Sequence, residues 1–336
     1  CHPPRIHLDI QRRLRYAPRM NRWAALATAT LLSSSTAFAD EGMWTFDAFP
    51  SDQVKASYGF GPDAAWLEKV RLSSVRLAQG CSGSFVSESR LISTNHHCPF
   101  RRSQQPSSKK QILAQQRSMA AQAKDELRCP NLEINQLTKI TDVTDDVLKA
   151  LAGKEGTAFQ DAKKAKIAQL ESSCAKDKNV RCDVVSLYRG GRYHLYRYQK
   201  YPDTRLVFAP EFQAGFFGGD PDNFNFPRYN LDFGFLRIYQ DGKPVKTPNH
   251  LQFNVAGPKD GELVFVSGHP GRTDRLLTMA QRAYVRDILL PETLMTLGEM
   301  RGRLAELAYQ GKEQARIAQG LRFGVENAYK AYRGRR

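Results

Sequence analysis

The stretch CSGSFVSESRLISTNHHC, from Cys81 to Cys98, sets the tightest local constraint on this chain. Two strand-like runs, GSFV and RLIST, flank a polar turn at Ser87 to Ser89, and a cysteine closes each end. Apolar alternation on both sides of a turn predicts a β-hairpin. Its histidine end admits three readings. It is a metal site made of His96, His97 and Cys98, or a structural disulfide beside incidental histidines, or a disulfide-held imidazole that works as a base. Adjacent residues on a strand or loop point in different directions, and structural zinc sites draw on pairs of ligands set further apart. No second such pair lies nearby, so no metal and no cofactor is expected.

The cysteines depend on where the chain resides. Met20 opens a short stretch with Arg22, an apolar run follows from Trp23 to Leu32, and small residues stand at Ala37 and Ala39 before Asp40. That is the layout of a secretory signal peptide over residues 20–39, cut after Ala39. Residues 1–19 begin with Cys, show no period, and read as upstream sequence outside the fold. The apolar run is too short to cross a bilayer, so no transmembrane anchor is expected. Of 336 residues, 297 then follow the first 39, enough for one large domain or two small ones. The formal charge is +16; residues 1–19 carry five Arg and one Asp and residues 20–39 one Arg, which leaves +11. A basic balance favours anionic partners. No recognition motif or basic–aromatic repeat accompanies it, so it reads as a solvated surface and nucleic acid is not expected. Export makes disulfides the rule. Five cysteines remain, an odd number: Cys174 and Cys182 enclose the short loop AKDKNVR and suit a bridge, and Cys129 is left over.

The order along the chain is β, helical insertion, β, then helices: a mainly β protein with helical insertions. Asp63 is a candidate N-cap for a helix bearing Trp66, Leu67 and Val70 on one face. Residues 101–180 are rich in Ala, Lys, Gln and Glu with apolar residues three and four apart, which predicts a helical insertion. From Val184, aromatic and polar residues alternate around Gly190-Gly191, a hairpin signal. LDFGFLRIY, LQFNVA and ELVFVSGHPG continue the β pattern, and helices occupy residues 273–336.

A strand that starts at Cys and leads through a turn to a second strand ending in His-Cys resembles the histidine loop of exported chymotrypsin-class peptidases. By that pattern His97 is the general base, held rigid by a Cys81–Cys98 bridge, and His96 its packed neighbour. Ser82 and Ser84 precede the histidine and read as structural. The base needs a carboxylate to hold its tautomer. Asp220 and Asp222 sit in a Gly/Pro/Asn turn, where Asp commonly serves the turn itself. Asp232 stands at the mouth of the apolar strand DFGFLRIY and is the preferred partner.

Taken together, TNHHC and GGDPDNFNFPRYNLDF, with DEGMW, YGF, VRLSSVR and GHPGRT in order, resemble the bacterial S46 peptidases, the dipeptidyl-peptidase 7 and 11 group. The likeness runs over most of Asp40 to Arg336. It implies a chymotrypsin-like double β-barrel over 40–272, incomplete here, and the start of an α-helical cap domain from 273. It implies a homodimer in the periplasm or at the outer membrane that removes dipeptides from peptides with a free N-terminus. Carried over by motif, His97 and Asp232 are catalytic, and Asn223 and Asn327 hold the substrate amine. Phe224 stands where the family has Trp, and Arg228 matches its arginine after proline. No nucleophile is evident: the one serine after Asp232 is Ser267, in a strand-to-turn context without an oxyanion loop. The expectation is an N-terminal portion that supplies His and Asp. A non-catalytic secreted peptide-binding protein and a chymotrypsin-like endopeptidase are the rivals.

Overall fold

The computed structural model describes residues 42–78, 80–100, 118–130, 132–215, 223–227, 229–270 and 277–335. The expected leader and signal peptide, the first part of the insertion, Asp220, Asp222, Arg228 and the end of GHPGRT lie outside them. The chain divides into two compact units. In the smaller one, the turn Lys259–Glu262 is closed by the Glu262 N–H donating to Lys259 O at 3.1 Å and the Lys259 N–H donating to Glu262 Oε2 at 2.8 Å. The larger runs over Thr45–Pro258 and Leu263–Arg336, and every helix and strand of the described residues belongs to it.

Helix α1 (Ser51–Tyr58) ends at Gly59, whose φ of 75° suits a residue without a Cβ. In α2 (Ala64–Ser73) the Asp63 carboxylate accepts the Trp66 N–H at 2.7 Å, the cap that the sequence predicts. That helix runs straight into β1 (Ser74–Leu77). Strands β2 (Ser82–Phe85) and β3 (Leu91–Thr94) form the predicted hairpin, its turn fixed by Arg90 N–H to Ser87 O and Leu91 N–H to Ser87 Oγ, both 3.1 Å. One helical turn follows, α3 (His97–Phe100). Then come β4 (Ser118–Met119), β5 (Leu127–Arg128), β6 (Ile134–Asp142), α4 (Thr144–Leu151), α5 (Gly156–Cys174), β7 (Val180–Leu187), β8 (Arg192–Tyr201), β9 (Asp203–Ala209), α6 (Phe212–Gly215), β10 (Gly234–Gln240) and β11 (Lys243–Pro244).

The strands form one antiparallel sheet in the order β4-β9-β10-β3-β2-β1-β6-β8-β7, with β5 on β9 and β11 on β10. In a flat sheet β9 and β8, six strands apart in that order, would stand roughly 29 Å from each other. Yet Val75, Phe85, Ile92, Ile134, Tyr201, Leu206 and Leu236, drawn from seven strands, belong to one buried cluster. The sheet therefore curls around a single core, and Pro202 alone turns β8 into β9. No pairing among the described strands joins β4 to β7, so the curl stays open.

Two expectations need correction. The insertion predicted as helical over about 101–180 is helical at α4 and α5, whereas β6, inside the same span, is an interior strand. Its first four residues are all buried, it pairs with β1 and β8, and its two Ile and two Thr suit a strand despite the helix-forming composition around them. Of the segments LQFNVA and ELVFVSGHPG, residues 251–256 and 262–270 form no strand, and LQFNVA meets β2 through the Leu251 N–H, which donates to Phe85 O at 2.8 Å. Alternation specifies a two-faced ribbon, not a neighbour to pair with, and Phe253, Val255, Val264 and Val266 stay exposed.

The insertion has its own small core. Val143, Val147 and Leu151 pack with Tyr193 of β8 and with Phe159, Ala162 and Leu170 of α5. The Cys174–Cys182 disulfide ties the end of α5 to β7. Further on, a capping box between Thr278 and Gln281 starts α7 (Met279–Tyr284), which passes through a π-turn at Val285–Leu289 into α8 (Leu290–Tyr309). Gly311, at φ 156°, separates it from α9 (Lys312–Arg335), and the Arg301 guanidinium lies over the Tyr329 ring at 5.6 Å. No helix of the described residues is long and apolar enough to cross a membrane.

Candidate active site

The register between β3 and β10 builds the site. Thr94 pairs with Gly234, so residues just past Thr94 face residues just before Gly234. His97 and Asp232 meet there, at the rim of the curled sheet. The His97 Nδ1 lies 3.2 Å from Asp232 Oδ1 and 3.1 Å from Oδ2, and the His97 backbone N–H donates to Oδ1 at 3.3 Å. An Nδ1–H held by a carboxylate leaves Nε2 as the basic nitrogen. The His97 side chain is 52% exposed and that of Asp232 24%, so the ring is open to solvent while its partner is more shielded.

Each side of the pair is braced. Cys98 is buried in the main core and bonded to Cys81, which anchors the residue after His97. His96 is buried, its Nε2 lies 3.1 Å from the Pro210 carbonyl, and it stands so close to Gly215 that any Cβ there would meet its Nδ1 at 2.6 Å. Burial pulls the His96 imidazole below its ordinary value against the Pro210 carbonyl and the Asp232 charge, which favours a neutral packing residue. On the other side, the Leu231 N–H donates to Ala214 O at 2.8 Å. Burial pushes the Asp232 carboxyl up, but the hydrogen bonds and charge of His97, with the Asn95 amide, outweigh it and hold the carboxyl below the usual range.

Asn95 was not singled out by the sequence. Its Nδ2 donates to Asp232 Oδ2 at 3.0 Å and to the Asp232 carbonyl at 3.3 Å. An amide beside two histidines carries no periodicity, so its one signal was its place in TNHHC.

A second pair joins the loop after α6 to α9. Asn223, 4% exposed, donates its Nδ2 to Asn327 Oδ1 at 3.0 Å, and Lys330 Nζ donates to the Asn223 carbonyl at 3.2 Å. Phe224 beside it is exposed and sits at φ 62°, a left-handed conformation uncommon for an aromatic residue. Arg228 lies outside the described residues. Cys81, Cys98 and His97 bring their ligand atoms within 4.8 Å of one another, but the two sulfurs are bonded to each other and are not thiolate ligands. Ser267 Oγ is 2.9 Å from Ser74 Oγ, and no serine hydroxyl of the described residues hydrogen-bonds to the His97 ring.

A curled antiparallel sheet that holds an imidazole against a carboxylate at its rim has the build of a peptidase. The chain belongs to the peptidase S46 family, whose model matches residues 39–336. It is 34% identical over 283 residues to an Asp/Glu-specific dipeptidyl-peptidase of Shewanella putrefaciens, covering 80% of this chain and 38% of that protein. A dipeptidyl-peptidase 7 of Phocaeicola vulgatus is 32% identical over 270 residues, covering 72% of this chain and 37% of the relative. The crystal structure of Porphyromonas endodontalis DPP11 in complex with substrate matches at TM-score 0.74 and 26% identity, over 88% of this chain and 46% of that one. The chain thus spans less than half the length of these proteins.

Proposed function

We propose that this chain supplies the histidine and aspartate of a Ser-His-Asp peptidase that releases dipeptides from the free N-terminus of peptides. The observation that carries the reading is the His97 Nδ1 contact with both Asp232 oxygens at 3.1–3.2 Å, in a chain of a peptidase family. In this reading His97 Nε2 takes the proton of a serine hydroxyl as it attacks the scissile carbonyl and returns it to the leaving amine. Asp232 keeps the proton on Nδ1 and stabilises the imidazolium. Asn223 gives an N–H to Asn327, so its own amide oxygen is the acceptor for a substrate ammonium, with Phe224 as an aromatic wall. The amine site fixes where the chain starts and so which bond reaches the base. The working protein is proposed to be a homodimer of exported chains, cut after Ala39, with a chymotrypsin-like double β-barrel and a helical cap, acting in the periplasm or at the outer membrane.

The test uses this chain expressed with the coding sequence that adjoins it at its native locus. Tetrapeptides with a free amine are expected to yield dipeptides, and acetylating that amine to abolish release. Asp232→Asn is expected to lower kcat about 10⁴-fold. Equal cleavage of free and acetylated peptides would replace the exopeptidase reading with an endopeptidase. Residues 40–336 alone are expected to release nothing; release that survives Ser267→Ala would overturn a nucleophile supplied from elsewhere.

A further inference from the structure

We propose that Asn95 is a positioning residue for the Asp232 carboxylate, fixing its rotation so that it stays turned toward the His97 ring. The inference rests on the reading of His97 and Asp232 as a working pair. A carboxylate on a single methylene turns about two bonds, and a contact to one oxygen leaves one of those turns open. Asn95 Nδ2 carries two hydrogens and spends them on one residue: the Asp232 carbonyl, 3.3 Å away, and its Oδ2, 3.0 Å away. Joining the main-chain and side-chain oxygens of Asp232 closes a ring that admits one side-chain orientation. The His97 backbone N–H, at 3.3 Å from Oδ1, holds the opposite oxygen. The carboxylate is thereby gripped from both ends while it faces Nδ1.

Asn95 is itself well held. It follows Thr94, which pairs with Gly83 on one side and Gly234 on the other, and its carbonyl accepts the Cys98 N–H at 3.2 Å. The residue is exposed, so packing does not account for it. The chemistry of the position is also specific. Aspartate would set a second negative charge against the first, and serine offers one hydrogen on a shorter arm.

The test reads the tautomer of His97 by nitrogen-15 chemical shifts in this chain at a pH where the ring is neutral, with His97→Gln to assign the signal. In the parent chain the Nδ1–H form is expected to dominate. Asn95→Ala, and Asn95→Leu, which keeps the shape of the amide without its hydrogens, are expected to cut the ratio of Nδ1–H to Nε2–H about five-fold. Asp232→Asn, as the control, is expected to abolish the preference. If both Asn95 variants keep the parent ratio while Asp232→Asn loses it, the positioning role is wrong and the pair stands. If Asp232→Asn also keeps it, the pair itself is wrong, and the inference goes with it.

Discussion

Asp232 and His269 give the chain two sensitivities to acid of the same sign. The Asp232 carboxyl is held below its ordinary value, so the stability it contributes is present above the unfolded-chain value and is lost as pH falls through the folded one. His269 is pulled from 6.5 down to about 4 by burial first and by Arg76 second. Its folded form stays neutral while the unfolded chain takes up a proton, so stability drains between about 6.5 and about 4. The urea midpoint is expected to fall as pH is lowered from 7 to 3. His269→Gln should flatten the upper part of that fall and Asp232→Asn the lower; a parent midpoint constant from pH 7 to 4 would contradict the His269 share. The approach of positions 97 and 232 was legible because each stands at the end of an apolar run, where pairing of those runs brings the ends together. The grip of Asn95 and the close approach of His96 to Gly215 were not, since an amide in a loop and a glycine beside a buried ring leave no period or charge pattern in the sequence.

Among elements, the hairpin of β2 and β3 was the most readable, because turn, alternation and flanking cysteines agree. Its bridge closes a separation of 17 residues, and constraint of the unfolded chain over such a loop is worth about 3 kcal/mol. Chemical denaturation of Cys81→Ser is expected to show a loss of that size. An unchanged midpoint would mean that the buried Cys98 contributes by packing alone. β6 was hidden for the opposite reason. Its residues INQLTKITD mix apolar and polar types without strict alternation, and only the neighbours β1 and β8 reveal which are covered. Residues 251–256 show the reverse error, a clear alternation in a segment that forms no strand.

At the scale of the whole molecule, the described residues of the larger unit form two separate apolar clusters, one inside the curled sheet and one beneath the α4–α5 hairpin. The hairpin cluster is small, so thinning it should open it locally. Val147→Ala is expected to speed amide hydrogen exchange in Thr144–Leu151 and Gly156–Cys174 while the β3 and β10 amides keep their protection; equal loss in both regions would show one cooperative unit. Composition anticipated this helical region, but not that its foundation is the far end of β8, through Tyr193. The consequence reaches beyond stability. A lineage can lengthen, trim or recolour that outlying hairpin generation after generation without disturbing the rim where residues 97 and 232 touch, so natural variation should accumulate there first.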